Sequence, residues 1–274
     1  MVNFLLMKIG SIVLNSFLIL LIVYISVVVF LFFYQRKLLY HPSENNYLDE
    51  TQLNHTIEKT FIQSNEKLVS WYFKKNPKFK TILFFHGNAG KLDNRVYKLN
   101  ELSKLELNYL IVAYRGFSGN AGKPTESGLY EDANFAKIWL NKNGVKDKDI
   151  IIYGESLGTA VAIDLASRYN FSGIILESPF TSMLDLAQKY YPIFPVKLIL
   201  KDRYESRKKL NDIKSPVLVM HGKKDKIVPF YMGEQILEAL SSPKFSYFND
   251  NDDHMMEYNE DLLGSIKNFL VQVN

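Results

Sequence analysis

The chain has 274 residues, 33 basic against 29 acidic side chains for a formal net charge of +4, and no cysteine. The lysines are scattered among acids, with no basic block and no glycine-rich phosphate loop ending in Gly-Lys, so the charge gives no sign of nucleic-acid binding. Without cysteine, and with no two histidines in metal-ligand spacing, a zinc site lacks its donors.

The first element in the chain is Ile9 to Phe33, which carries no formal charge and is rich in Ile, Leu, Val and Phe. As a helix it would run roughly 37 Å at 1.5 Å per residue, enough to cross a bilayer core of about 30 Å. A cleaved signal peptide has a shorter apolar core and a small-residue cleavage site, whereas Val27 to Tyr34 offers only bulky residues. Residues 1–37 are therefore expected to be an uncleaved single-pass anchor, spanning at about 9–33. Lys8 on one side against Arg36 and Lys37 on the other favours a cytoplasmic position for the residues beyond Lys37, and a cysteine-free chain permits either compartment. The remaining residues 38–274, about 240, suit one α/β domain and are too few for two domains with a linker.

Strand-like runs occur at Thr60 to Gln63, Val69 to Phe73, Thr81 to Phe85, Tyr109 to Ala113, Ile150 to Tyr153, Gly173 to Leu176, Val217 to Met220 and Phe245 to Phe248. They predict a mostly parallel sheet of eight strands flanked by helices. Between Glu126 and Leu140 the positions Leu129, Ala133, Ala136, Trp139 and Leu140 recur at helical spacing, so that face packs on the sheet. Trp139 reads as core.

Chemistry enters where strands end. Thr81 to Phe85 leads into His86-Gly87-Asn88-Ala89-Gly90, a turn whose glycines let the backbone approach a ligand. Ile150 to Tyr153 leads into Gly154-Glu155-Ser156-Leu157-Gly158 and then a small-residue helical run, the strand, sharp turn and helix of a nucleophile elbow. Ser156 is the expected nucleophile. A serine needs a base, and the base a carboxylate that holds its tautomer; in elbow enzymes both come after the serine, acid first. Val217 to Met220 runs into His221-Gly222-Lys223-Lys224-Asp225, and the loop after Phe248 leads to His254, the only histidine beyond Asp225. Asp225 is the expected acid and His254 the base. Glu177, at the end of an earlier strand, competes as acid, and His221 is read as setting a turn. The oxyanion of a tetrahedral intermediate needs fixed N–H donors. Leu157, next to the nucleophile, should supply one and Asn88 the other, with Ala89 as the alternative.

These motifs make the chain resemble the α/β-hydrolase superfamily from about Tyr40 onward. More narrowly it resembles a membrane-anchored, bud-emergence-like branch, on His86-Gly87-Asn88-Ala89-Gly90, Tyr114-Arg115-Gly116-Phe117-Ser118-Gly119, Gly122-Lys123-Pro124-Thr125-Glu126, Glu177-Ser178-Pro179-Phe180-Thr181 and His221-Gly222 with Asp225. One departure stands out: the family usually sets its histidine among glycine and small polar residues, and here it lies in Asn251-Asp252-Asp253-His254-Met255-Met256. The resemblance implies a short lid at about 181–214 covering the site. Within it, the apolar stretch Tyr190 to Leu200 lines an acyl pocket, touches the membrane or packs on the core.

The expected function is that of a membrane-anchored serine hydrolase attacking carboxylic esters or thioesters through an acyl-enzyme, with no cofactor. Its partners would be a small-molecule or lipid acyl substrate and the bilayer. A lipid-acyl hydrolase, a serine peptidase and a catalytically dead fold used for interaction remain as alternatives.

Overall fold

The computed structural model describes residues 2–43 and 52–273. Eight strands form one sheet: β1 (Glu58–Gln63), β2 (Lys67–Phe73), β3 (Lys80–Phe85), β4 (Leu107–Val112), β5 (Ile150–Glu155), β6 (Gly173–Glu177), β7 (Val217–Gly222) and β8 (Lys244–Asn249). Their order is β8-β7-β6-β5-β3-β4-β2-β1. β1 and β2 pair antiparallel, as do β2 and β4, and every other pair is parallel. Each strand-like run in the sequence becomes one of these strands, with its ends shifted by one or two residues.

The parallel strands inside the sheet are largely apolar because both faces are covered, whereas the edge strand β8 keeps Lys244 and Ser246 exposed. Period-two alternation sends Leu83, Phe85, Ile150 and Ile152 to one face and Ile82, Phe84, Ile151 and Tyr153 to the other. The first face lies under α3 (Glu126–Lys142), α4 (Leu157–Arg168) and α8 (Phe230–Ala239); the second under α2 (Val96–Leu102) and α9 (Glu260–Gln272). On α3 the buried Leu129, Ala133, Ala136 and Leu140 form the stripe that the spacing predicts, and Thr125 caps its start by accepting from the Gly128 amide at 3.0 Å. Trp139 packs edge-on against Tyr72, with ring centroids 5.4 Å apart.

The segment 181–214, where a lid is expected, holds three short helices, α5 (Met183–Tyr190), α6 (Val196–Ile199) and α7 (Ser206–Lys209). At the other end of the chain, α1 (Val2–Leu39) is one long helix. Its apolar part, Leu6–Leu39, is long and apolar enough to cross a membrane. The helix outruns the span expected at 9–33, and at its end the half-buried Leu39, followed by the buried Tyr40, packs on the domain. Just beyond it, His41 and Pro42 form a short parallel bridge to Ala89 and Gly90.

Candidate active site

Ser156 sits between β5 and α4 at φ 51° and ψ −117°, a strained conformation that thrusts its side chain clear of the turn. The flanking glycines are forced by close packing. A Cβ on Gly158 would lie 2.0 Å from the Phe85 carbonyl oxygen, and one on Gly154 would lie 2.5 Å from the Gly158 carbonyl oxygen. No larger residue fits without shifting backbone.

The structure brings Ser156, His254 and Asp225 together from the ends of β5, β8 and β7. Ser156 Oγ lies 2.9 Å from His254 Nε2, and His254 Nδ1 lies 2.7 Å from Asp225 Oδ2. Asp225 Oδ1 accepts from the amides of Ile227 and Val228, each at 2.8 Å, and Oδ2 is shared with His221 Nε2 at 3.2 Å. A carboxylate with four donors around it stays ionised. Burial opposes the charge, but the hydrogen bonds from His221 and His254 outweigh it and hold Asp225 well below the ordinary carboxylate range. With Asp225 accepting at Nδ1, the His254 proton sits there and Nε2 is left as the acceptor for the serine hydroxyl. The loop carrying His254 is tied down: Lys224 N donates to Asp252 O at 3.0 Å, and a Cβ on Gly222 would meet the Asp252 and Asp253 carbonyls at 2.4 Å. Of the three carboxylates beside His254, Asp250 pairs with Lys223 at 2.6 Å and Asp253 accepts from the Met255 amide at 2.9 Å.

Leu157 and Asn88 line the same cleft as Ser156. The Leu157 amide opens α4, where a backbone N–H has no intrahelical acceptor. Asn88 is fixed from both sides: its carbonyl accepts from His41 N at 2.9 Å, and its side chain donates to Leu39 O at 2.8 Å. His86, next to this loop, is fully buried; burial first, and the nearby Arg95 charge second, push its pKa down to about 3, so it stays neutral.

Glu177 takes no part in this hydrogen-bonded chain. Its carboxylate accepts from Lys98 Nζ at 2.6 Å, Tyr153 Oη at 2.6 Å and Tyr258 Oη at 2.8 Å. Lys98 also reaches Glu155 at 2.7 Å, and Arg95 binds Glu155 at 2.6 Å while donating to Ala89 O at 2.8 Å. Two cations and two carboxylates are thus buried directly behind the elbow. Burial favours loss of the Lys98 proton, yet the two glutamates overrule it and keep the ammonium charged. Two roles have no signal in the local sequence: this network, and His221 as a second donor to Asp225. Lys98→Met would leave both glutamates buried and facing each other, and removing one partner of a buried ion pair costs about 3–5 kcal/mol, a melting-point drop of roughly 6–20 °C for a domain of this size. Differential scanning fluorimetry on the full chain checks this; a drop under about 2 °C would mean that the glutamates find other donors.

The cleft above Ser156 has a volume of about 280 Å³ and a largely apolar lining, including Phe180, Leu186, Tyr191 and Ile199. Leu186 lies on the core, whereas Tyr191 is 54% exposed, so the lid stretch lines the cleft and also presents apolar surface outward. Among the described residues no three His, Asp or Glu side chains gather into a metal-binding group.

A family model described as an alpha/beta hydrolase of unknown function matches residues 48–183, and a prolyl oligopeptidase family model matches residues 120–263. An uncharacterized protein of Mycobacterium tuberculosis is 34% identical over 224 residues, 80% of this chain and 80% of its own length. The lysophosphatidylserine lipase ABHD12 of Danio rerio is 33% identical over 203 residues, 66% of this chain and 53% of the lipase. Among solved structures, the Pyrococcus furiosus esterase Pf2001 superposes with a TM-score of 0.68 at 18% identity, covering 85% of this chain and 96% of the esterase. That last likeness speaks for the fold alone.

Proposed function

Because the chain belongs to the α/β-hydrolase superfamily, we propose that it is a serine hydrolase, cleaving carboxylic esters or thioesters through an acyl-enzyme and held at a membrane by α1. The observation that carries this reading is the unbroken chain of hydrogen bonds from Ser156 Oγ through His254 to Asp225, at 2.9 and 2.7 Å. A fold retained only for interaction has no need of that alignment.

In the proposed reaction Ser156 Oγ attacks the acyl carbonyl as its proton passes to His254 Nε2. Asp225 stabilises the imidazolium. The carbonyl oxygen, now an anion, receives the Leu157 and Asn88 amides. His254 then gives its proton to the leaving alcohol or thiol, and a water molecule, deprotonated by the same nitrogen, releases the acid from Ser156. An apolar cleft suits an acyl chain, and the lipase among the relatives supports a lipid-acyl ester as the finer reading. The prolyl oligopeptidase match supports peptidase activity as the second.

A fluorophosphonate probe on the full chain, with p-nitrophenyl esters from acetyl to palmitoyl beside peptide p-nitroanilides, separates these. We expect covalent labelling and ester turnover. Cleavage of anilides in preference to esters favours the peptidase, and a chain that neither labels nor turns over any substrate removes the enzyme reading.

A further inference from the structure

One wall of the cleft above Ser156 comes from α1. Leu31, Gln35, Leu38 and Leu39 line the same cavity as Ser156, Leu157 and Asn88. Along the otherwise exposed helix, Val28, Leu31, Gln35 and Leu39 are half-buried, a spacing of three and four residues that marks a single stripe. That stripe is fastened to the lid. Tyr24 Oη donates to Ile193 O at 2.9 Å, and Gln35 donates to Ile199 O at 2.9 Å and accepts from Lys201 N at 2.7 Å. Arg36 grips Asp202 with two hydrogen bonds at 2.8 and 3.0 Å. The contact runs from Tyr24 to Leu39, roughly 22 Å of helix.

Length then fixes where this contact lies. The apolar part of α1 has 34 residues, roughly 51 Å of helix against a hydrocarbon core of about 30 Å. The undocked stretch from Leu6 to Val23, roughly 27 Å of helix, matches that core, which would put the docked surplus at the membrane boundary. There the lid exposes Ile193 at 72% and Leu198 at 83%. The exposed Lys37, Lys197 and Lys201 sit on the same elements, and Lys201 Nζ lies 4.0 Å from the Phe32 ring centroid. Apolar side chains flanked by lysines match the boundary between acyl chains and lipid phosphates.

We propose that α1 is a wall of the acyl-binding site and that the substrate enters from the bilayer along it, beneath a lid whose Ile193 and Leu198 are immersed in lipid. The substrate is then a membrane-resident ester of one long acyl chain. A cavity of about 280 Å³ is at the small end of ligand sites, which favours a single acyl chain. This deepens the serine-hydrolase reading and rests on it.

The test uses the full chain in phosphatidylcholine vesicles. Since no native cysteine interferes, Ile193→Cys, Leu198→Cys and a control Lys142→Cys at the opposite end of the domain take an environment-sensitive fluorophore. Lipids carrying nitroxide on the acyl chain should quench the first two and spare the third. Equal quenching at all three, or none, overturns the immersed lid. For the wall, Leu31→Trp and Leu38→Trp should lower the ratio of palmitoyl to acetyl ester kcat/KM by at least about tenfold, and an unchanged ratio in both variants overturns it. Failure of the unaltered protein to label with fluorophosphonate overturns the hydrolase reading and the acyl substrate with it, while the quenching still decides where the lid lies.

Discussion

Replacing Ser156 with alanine should lower kcat by roughly a thousand- to a million-fold with no loss of melting temperature. The hydroxyl stands at the head of the hydrogen-bonded chain, and its one hydrogen bond among the described residues is the 2.9 Å bond to His254. Alanine meets the same backbone strain as serine at φ 51°, so folding gains and loses little. Ester turnover and probe labelling on the purified variant check this, and near-normal labelling would move the nucleophile elsewhere.

Asp225→Asn should cost about four orders of magnitude in kcat, for a reason visible in the acceptor arrangement. All four groups around the carboxylate are N–H donors, those of Ile227, Val228, His221 and His254. An amide has one oxygen. If that oxygen serves the two backbone amides, the NH2 faces His254 Nδ1 and forces its proton to Nε2, where it can no longer take one from Ser156. Glu177→Gln leaves that tautomer alone, so kcat per folded molecule should fall far less. The reverse ranking would make Glu177 the acid. Stability provides a second readout. Because the folded carboxyl titrates below its unfolded value, its contribution is complete above the ordinary carboxyl pKa of about 4 and is lost as pH falls through the depressed one. The stability gap between the two proteins should therefore narrow on acidification.

The strands and the elbow are legible because they are local. Continuous apolar runs and a Gly-x-Ser-x-Gly turn report their own geometry, and the order of serine, acid and histidine follows the chain order of the strands whose ends carry them. Charged side chains are harder. Lys98 lies in Val-Tyr-Lys-Leu-Asn-Glu-Leu and reads as a solvated face of a short helix, yet its partners Glu155 and Glu177 lie 57 and 79 residues away, and only the folded sheet brings them beneath it. His221 lies one residue before the end of β7, and its side-chain direction depends on a register that the sequence leaves open. The docking of α1 is hidden for another reason: an apolar helix has the same composition whether lipid or protein covers a given stripe. Gln35 is the one local sign, an amide on that stripe with hydrogen bonds to satisfy.

The sheet order also has a consequence for synthesis. Ser156 and His254 are 98 residues apart, and β6 must settle between β5 and β7 before the acid loop has a place to stand. At a translation rate of about 5–20 residues per second, Ser156 leaves the ribosome roughly 5 to 20 seconds before His254. Throughout that interval α1 is already available for insertion while Ser156 has no partner to activate it. On the serine-hydrolase reading, the growing chain therefore holds no complete triad until His254 has emerged.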